Sequence, residues 1–336
     1  MLQRTGNRGV HESKQKPFIP CRVKHPVKRS TFCDALEKRR NDIFRTVFYV
    51  LADKAQMIAG KTKKKFTDSL RIIDTSIIPL CLSRFDWARY RKSKGAIKLH
   101  INLDGDNMIP YDAYVTDGKV HEVQHIQNLC QETGVIYVMD RGYIDYKSLY
   151  CIEMQGSVFV TRMKGNADYK RVYNNPYEKC GPILSDVLIE LTGPITKTYY
   201  PKTLRKIKYK DPETKKVYEF LTNDMCREAE EIAAIYKERW EVELFFKWIK
   251  QHLKIKSFWG TSMNAVYSQI WVALILTILL WISRTLYGLS VSAHKLLIML
   301  KTTLLTKNTL AGLCTNILPP EESKPLYQPF LEGFKC

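Results

Sequence analysis

The stretch from Ile235 to Lys250 reads IYKERWEVELFFKWIK, and it is the most informative segment of the sequence. At roughly 100° per residue in a helix, four of its polar residues fall within about 60° of one another: Tyr236, Arg239, Glu243 and Lys250. Apolar side chains cluster immediately beside this stripe, at Ile235, Val242, Phe246, Ile249 and Leu253. The charged line therefore borders a buried face, which is typical of a functional edge and equally of a solvated helix face with an i,i+4 Arg–Glu pair.

Two aspartates each close a short apolar run that reads as a strand. Asp74 follows LRII, and Asp140 follows VIYVM. A carboxylate at the end of a strand commonly faces a site, although a lone aspartate there is also explained by a turn or a cap. Three carboxylates that converge without neutralising partners repel one another unless hard divalent cations lie between them. Asp74, Asp140 and Glu243 are therefore candidate ligands of magnesium.

Short β-type segments alternate with a helical one through the middle of the chain. Besides the two runs that end in aspartate, the pattern predicts strands at Ile97 to Leu103, Ile109 to Val115 and Ser157 to Arg162. A helix is predicted at His121 to Glu132, and a hairpin where KTLRKIKYK and VYEFLTN flank DPETKK. This alternation favours a mixed α/β sheet.

Longer helices are predicted on both sides of this region. They cover Ser30 to Gln56, Arg227 to Lys254, Ala265 to Leu286 and Ser292 to Leu305. From Ile270 to Ile282 the sequence is almost wholly apolar, but such a stretch is short for a bilayer and typical of a buried helix. A buried core helix is therefore expected there.

The charge balance of the chain indicates a polyanionic partner. In 336 residues there are 53 Lys and Arg against 34 Asp and Glu, which leaves a net charge of +19 spread along the sequence. Such a field favours nucleic acid or an anionic membrane surface. Nine cysteines occur without any Cys-x-x-Cys pair, so they are expected to be free thiols in a reducing cytosol.

The spacing Tyr236-x2-Arg239-x3-Glu243-x6-Lys250 resembles the Tyr-Arg-Glu-Lys signature of insertion sequence 4 family transposases, in the Asp-Asp-Glu class. IIDTS around Asp74 resembles the first-aspartate motif of that family, and VMDRGY around Asp140 resembles the second. RWEVELFFKWIKQHLKIKSFWG resembles the third. The resemblance extends over most of the chain, from Asp68 to Leu286.

The resemblance implies a ribonuclease-H-like (retroviral-integrase-like) mixed sheet flanked by helices, interrupted by a β-rich insertion and followed by a helical C-terminal part. It implies that Asp74, Asp140 and Glu243 hold two Mg²⁺ ions, for which Mn²⁺ can substitute, and that they catalyse DNA cleavage and strand transfer in cut-and-paste transposition. Such ions activate a water or a 3′-hydroxyl and stabilise the leaving oxygen.

The resemblance also implies the DNA contacts. Arg239 and Lys250 are expected to hold the phosphate backbone, and Tyr236 is expected to contact DNA, while Lys247 and Lys254 extend the positive line. The implied partners are double-stranded DNA, namely the terminal inverted repeats of the element and the target, and a second copy of the chain in a synaptic homodimer. The implied location is the bacterial cytoplasm, on the nucleoid, with no membrane partner.

Four regions are expected along the chain. Residues 1–58 are a basic arm and helix, interpreted as a truncated DNA-end-binding domain. Residues 59–165 and 224–290 form the ribonuclease-H-like core, residues 166–223 the β-rich insertion, and residues 291–336 a helical tail.

Three alternative functions remain open on the sequence. The first is a nuclease on the same fold that hydrolyses DNA without joining it. The second is a non-catalytic DNA-binding derivative of a transposase, and the third is a basic membrane-associated protein, which rests on Ile270 to Ile282 alone.

Overall fold

The computed structural model describes residues 28–60, 64–178, 181–253, 255 and 257–303, which form one ten-stranded sheet with helices on both faces. Strand β1 (Leu70–Leu80) lies inside this sheet. Successive side chains of a strand point to opposite faces. Accordingly, Ile72 and Ile78 pack in the larger of two apolar cores, and Ile73 packs in the smaller.

Five strands form the central unit of the sheet. Strands β3 (Lys94–Asp104) and β4 (Ile109–Asp117) form an antiparallel ladder with β1, whereas β5 (Ile136–Met139) and β6 (Val158–Arg162) continue the sheet in parallel on the other side of β1. The spatial order is thus β4-β3-β1-β5-β6, with the short strand β2 (Arg89–Arg91) also pairing with β3. This is the ribonuclease-H-like arrangement, so the predicted fold class is confirmed.

Four further strands extend the same sheet beyond β6: β7 (Tyr169–Asn174), β8 (Ile183–Leu191), β9 (Leu204–Lys210) and β10 (Val217–Thr222). A short helix, α5 (Pro194–Tyr199), lies between β8 and β9. The predicted hairpin is confirmed, because β9 and β10 pair antiparallel. Its turn is closed by Asp211, whose Oδ1 accepts hydrogen bonds from the backbone N–H groups of Glu213 and Thr214 at 2.8 Å each. Strands β7 and β8 had no recognised sequence signal.

Two predicted long helices are each divided in two. The N-terminal one consists of α1 (Arg29–Lys38) and α2 (Asp42–Ala59). The Asn264 side chain accepts a hydrogen bond from the backbone N–H of Asn41 at 2.9 Å and donates one to the carbonyl of Leu36, also at 2.9 Å. A tertiary contact from another helix therefore holds the break.

The second divided helix consists of α6 (Ala229–Lys237) and α7 (Trp240–His252). At the junction, the backbone N–H groups of Glu241 and Val242 bond to carbonyls three residues back instead of four. The chain tightens there for one turn, as is common at helix ends. The prediction of one continuous helix from Arg227 to Lys254 was wrong in this respect.

The helix predicted at His121 to Glu132 is also shorter than expected. It consists of a 3-10 turn (Glu122–His125) and one turn of α-helix, α3 (Ile126–Leu129). Side chains bind the backbone groups that would continue this helix. Asn102 donates a hydrogen bond to the carbonyl of Leu129 at 2.7 Å, and the Tyr137 hydroxyl accepts one from the backbone N–H of Glu132 at 2.9 Å. The smaller core is completed by α4 (Tyr146–Met154).

The apolar C-terminal region forms α8 (Met263–Leu286) and α9 (Ala293–Thr303). Ser262 caps α8 by accepting a hydrogen bond from the N–H of Ala265 at 3.2 Å. Helix α8 is long and apolar enough to cross a membrane, but 61% of its most apolar 18-residue window is buried within the protein, largely against α2. The prediction of a buried helix for Ile270 to Ile282 agrees with this packing.

Candidate active site

The two motif aspartates lie side by side in the sheet. Strands β1 and β5 are parallel, and the last pair in their ladder is Ile73 with Met139. Asp74 and Asp140 are the next residue on each strand, and neighbouring strands lie about 4.8 Å apart. Because Ile72 and Val138 both belong to the larger core, the two aspartates face the same side, where the C-terminal helices pack.

Asp74 does not end its strand, contrary to the sequence interpretation. Strand β1 continues to Leu80, because the segment after Asp74 pairs with β3 as far as Leu80 opposite Gly95. Asp140, in contrast, directly follows β5 and begins a 3-10 turn, Arg141–Tyr143. One carboxylate is therefore fixed within a paired strand, and the other lies at the edge of a turn.

Glu243 reaches the same place from helix α7, which packs against β1. The link is the guanidinium of Arg239, whose Nη2 donates to Glu243 Oε1 at 2.7 Å and whose Nη1 lies 3.5 Å from Asp74 Oδ2. Arg239 thus bridges two of the three predicted metal ligands. The predicted Arg–Glu pair is present, and the same guanidinium also contacts Asp74 of strand β1.

The electrostatics of Asp74 indicate that all three carboxylates share one environment. The pKa of Asp74 is raised to about 6, mainly by burial and also by the negative charges of Glu243 and Asp140, while the N–H of Thr75 and the charge of Arg239 act to lower it. Two neighbouring carboxylates can influence Asp74 in this way only if both lie close to it.

The donor set fits a hard divalent cation, which prefers carboxylate oxygens. Among the described residues, no three acidic, histidine or cysteine side chains have converged into a ready-made ligand group. Arg239 supplies the positive charge between Asp74 and Glu243 instead. Burial is the main cause of the raised pKa of Asp74, and the charges of Glu243 and Asp140 add to it, so a bound cation would stabilise the ionised form of this carboxyl group.

A cleft of about 450 Å³ opens beside Asp74 and Glu243. Two of the lysines predicted to contact DNA, Lys247 and Lys250, line it together with Phe246. This cleft therefore combines acidic and basic groups as a phosphoryl-transfer site requires. The remaining lysine of that prediction, Lys254, lies outside the described residues.

Tyr236 is mostly buried, with 8% of its surface exposed, and its ring packs on Phe220 at a centroid distance of 4.8 Å. Its hydroxyl is buried and has no hydrogen-bond partner in the described part of the chain. Burial raises its pKa to about 12, so the hydroxyl is protonated and can donate a hydrogen bond. Its role as a DNA contact stays a prediction.

Sequence reasoning missed the polar residues on the opposite face of β1. His100 lies fully buried within the apolar strand IKLHINL, and Tyr143 is fully buried after the second motif aspartate. A histidine within an otherwise apolar strand was the available signal.

Comparison with known proteins connects this site to a family. The Transposase DDE domain family matches residues 65–279, which include all three carboxylates. The protein y4zB of Sinorhizobium fredii, described as a transposase, is 33% identical over 257 residues, which cover 75% of this chain and 70% of that protein.

Two further relatives are described as transposases of insertion sequence elements. The one for IS5377 of Geobacillus stearothermophilus is 28% identical over 241 residues, covering 71% of this chain and 63% of the relative. The one for IS4SA of Synechocystis is 25% identical over 257 residues, covering 75% and 70%. The family match spans most of the chain and contains the complete carboxylate set. This chain therefore belongs to the transposases that carry a DDE domain.

Proposed function

We propose that this protein cleaves DNA strands at the ends of an insertion sequence and joins them to target DNA, with Asp74, Asp140 and Glu243 as its metal ligands. The observation that carries this proposal is that three carboxylates distant in sequence lie on the same side of the sheet, two of them, Asp74 and Glu243, beside one cleft. Asp74 and Asp140 are adjacent in the β1–β5 register, and Arg239 joins Glu243 to Asp74.

Membership of the DDE family implies dependence on a divalent metal ion. We propose two Mg²⁺ ions, replaceable by Mn²⁺, held by the three carboxylates. When bound, such ions activate a water or a 3′-hydroxyl and stabilise the leaving oxygen. Asp74 suits this role because its buried carboxylate is destabilised by its acidic neighbours and gains from a cation.

The basic residues of the cleft are proposed to hold the DNA. Lys247 and Lys250 line the same cleft as Asp74 and Glu243, which places positive charge beside the reacting phosphate. Arg239 pairs with the carboxylates in the metal-free chain. Once cations neutralise Asp74 and Glu243, its guanidinium is available to a DNA phosphate, which it can bind through two parallel hydrogen bonds. Tyr236 and Lys254 are proposed as further DNA contacts.

We also propose partners, a location and roles for the regions of the chain. DNA is the partner that the family implies; a homodimer that pairs two element ends, and a location on the bacterial nucleoid, follow from the proposed reaction. We propose residues 59–165 and 224–290 as the catalytic core and residues 166–223 as an insertion that assists it. Residues 1–58 are proposed to take part in binding the element ends, and residues 291–336 to form a C-terminal tail.

A strand-transfer assay tests the proposal. The purified chain is incubated with Mg²⁺ and a DNA duplex that ends in the inverted repeats flanking its coding sequence, either intact or pre-cleaved to a 3′-hydroxyl. Cleavage of the intact duplex and joining of the pre-cleaved one to plasmid DNA are expected, and both should be lost in Asp140→Asn.

Asp86→Asn is the matched control, because it removes a negative charge from an exposed position between β1 and β2, outside the cleft. Full activity is expected for it. Cleavage without joining of pre-cleaved ends would identify a hydrolytic nuclease instead. Equal activity of Asp140→Asn and the unsubstituted chain would contradict the assignment of the carboxylates.

A further inference from the structure

A chain of hydrogen bonds lies on the face of β1 opposite the carboxylates. Thr75 follows Asp74, so its side chain points to the smaller core, where it is the cross-strand partner of His100. The Thr75 hydroxyl lies 2.7 Å from His100 Nδ1, and His100 Nε2 lies 2.9 Å from the hydroxyl of Thr116 on β4. The Thr75 hydroxyl also bonds to the hydroxyl of Tyr143.

The direction of these hydrogen bonds follows from the groups themselves. Burial lowers the pKa of His100 to about 3, so the ring is neutral and has one donor and one acceptor nitrogen. Thr116 donates its hydroxyl hydrogen to the carbonyl of Asp117, so it accepts from His100 Nε2. Nδ1 must then accept from Thr75, and Thr75 in turn accepts from Tyr143.

The series of hydrogen bonds reaches both aspartates of the candidate site. The backbone N–H of Thr75 donates to Asp74 Oδ1 at 2.8 Å. The backbone N–H of Tyr143 donates to the carbonyl of Asp140 at 3.0 Å, which closes the turn that Asp140 begins. One bond, between the Thr75 and Tyr143 hydroxyls, therefore connects the residue after Asp74 to the turn after Asp140.

Asp140 requires such support more than Asp74 does. Asp74 lies within β1 and pairs with Ile101 of β3, whereas β5 stops at Met139 and leaves Asp140 beyond the ladder. The position of Asp140 therefore depends on the turn at Arg141–Tyr143, and the position of the turn depends on what Tyr143 contacts.

We propose that Tyr143, Thr75 and His100 are positioning residues that set the distance between Asp74 and Asp140 and so determine metal affinity. Tyr143 and His100 are not among the residues that line the cleft in which the metal is proposed to bind. Thr75 borders this cleft, but its hydroxyl bonds to His100 and Tyr143, so each residue acts through hydrogen bonds behind the ligands. The inference rests on the proposed metal-binding role of the two aspartates. These three residues would position the metal ligands without taking part in the chemical step.

Metal affinity of the full chain without DNA is the test, measured as Mn²⁺ binding by electron paramagnetic resonance and calorimetry. Tyr143→Phe removes only the hydroxyl, and Thr75→Val replaces the hydroxyl with a methyl group of similar size. Residues behind metal ligands typically change affinity by 10- to 100-fold, so we expect a loss of about tenfold in each variant. Thr75→Ser keeps the hydroxyl and should bind Mn²⁺ nearly as well as the original chain.

Tyr137→Phe is the matched control for stability. Tyr137 belongs to the same core, and its hydroxyl bonds to the backbone of Glu132, away from Thr75. We expect Tyr137→Phe and Tyr143→Phe to lower the melting temperature by similar amounts, with Mn²⁺ affinity reduced only in Tyr143→Phe. Equal affinity losses in both, or unchanged affinity in Tyr143→Phe and Thr75→Val, would overturn the proposal.

Asp74→Asn separates failure of this proposal from failure of the proposed function. If Asp74→Asn abolishes Mn²⁺ binding while Tyr143→Phe leaves it unchanged, the carboxylates bind metal and the positioning network is refuted. If the original chain and Asp74→Asn bind Mn²⁺ equally, the metal site itself is wrong, and the positioning proposal fails with it.

Discussion

Two arginine–aspartate pairs lie on the sheet, a buried one in the 166–223 region and a half-buried one in the candidate site, and they are built differently. Arg205 donates to both oxygens of Asp186 at 2.9 and 2.6 Å, and its remaining nitrogen donates to the carbonyls of Asp224 and Arg227. The two side chains are 7% and 2% exposed. The two buried charged groups of this pair therefore have the hydrogen-bond partners that a buried ion pair needs.

The pair in the candidate site is incomplete. Arg239 approaches Asp74 at only 3.5 Å, divides its donors between Asp74 and Glu243, and has an Nε without a partner within the described part of the chain. A buried donor or acceptor that lacks a partner raises the free energy of the folded state. The comparison indicates that Arg205 stabilises the fold, whereas Arg239 retains hydrogen-bond donors that a ligand can use.

The largest expected effect comes from breaking the complete pair. Arg205→Met leaves the Asp186 carboxylate buried without its ion partner, which typically destabilises a protein by about 3–5 kcal/mol. The free energy of unfolding, measured by urea denaturation, should fall by that amount. A loss below about 1 kcal/mol would show that the two arginines do not differ as proposed.

Asp74→Asn should raise the free energy of unfolding instead of lowering it. The pKa of Asp74 is raised to about 6 in the folded chain, so the folded state binds its proton more tightly than the unfolded state does. Stability from this group is present at low pH and is lost as the pH rises towards 6 and beyond. At pH 7.5, without metal, Asp74→Asn should therefore be more stable by on the order of 2 kcal/mol, with the gain absent at pH 3.5. Thermal unfolding at both pH values measures this, and a loss of stability at pH 7.5 would contradict it.

Arg239→Met should destabilise the metal-free chain by about 1 kcal/mol, less than Arg205→Met, because Glu243 is partly solvated and Asp74 can take up a proton. Removing Arg239 raises the pKa of Asp74 further, so the stability deficit should grow as the pH rises from 5 to 8. Denaturation curves at several pH values measure this. A deficit that is independent of pH would argue against the ion pair with Asp74.

Lys250→Gln should change stability by less than about 1 kcal/mol, since the charge of a half-exposed side chain makes a small contribution. Its effect should appear in DNA binding, where the slope of log K against log salt concentration should fall by about one for a lost phosphate contact. Fluorescence anisotropy at several salt concentrations measures the slope. An unchanged slope would remove Lys250 from the DNA contacts.

The fold could be predicted where local patterns and long-range pairing agree. The five central strands were predicted from apolar runs, and the β9–β10 hairpin from its turn residues. The helix breaks near Asn41 and Glu238 could not be predicted, because a side chain from α8 holds the first and both segments have good helix-forming sequences. Strand β7 was missed because its residues, YKRVYN, are almost all exposed and show no alternation, and β8 was missed because polar residues interrupt the apolar run ILSDVLIEL without a regular alternation.

The candidate site was predicted from the spacing of its residues, but its internal contacts were not. Glu243 and Arg239 were placed on one helix face correctly, although the helix begins only at Trp240. The bridge from Arg239 to Asp74 joins residues 165 positions apart, and helical spacing carries no information about it. The same holds for Tyr143 and Thr75, whose relation depends on how β1 and β5 align.

By itself, the sequence determined which chemical groups this protein has and which lie together locally: two aspartates after apolar runs, and an arginine, a glutamate and a lysine on one helical stripe. Only the tertiary structure decided that β1 and β5 pair in a register that aligns Asp74 with Asp140, and that α7 packs on the same face. The physical reason is that helical and strand periodicity set directions within an element. Convergence of separate elements depends instead on burial of both faces of the sheet, to which residues along the whole chain contribute.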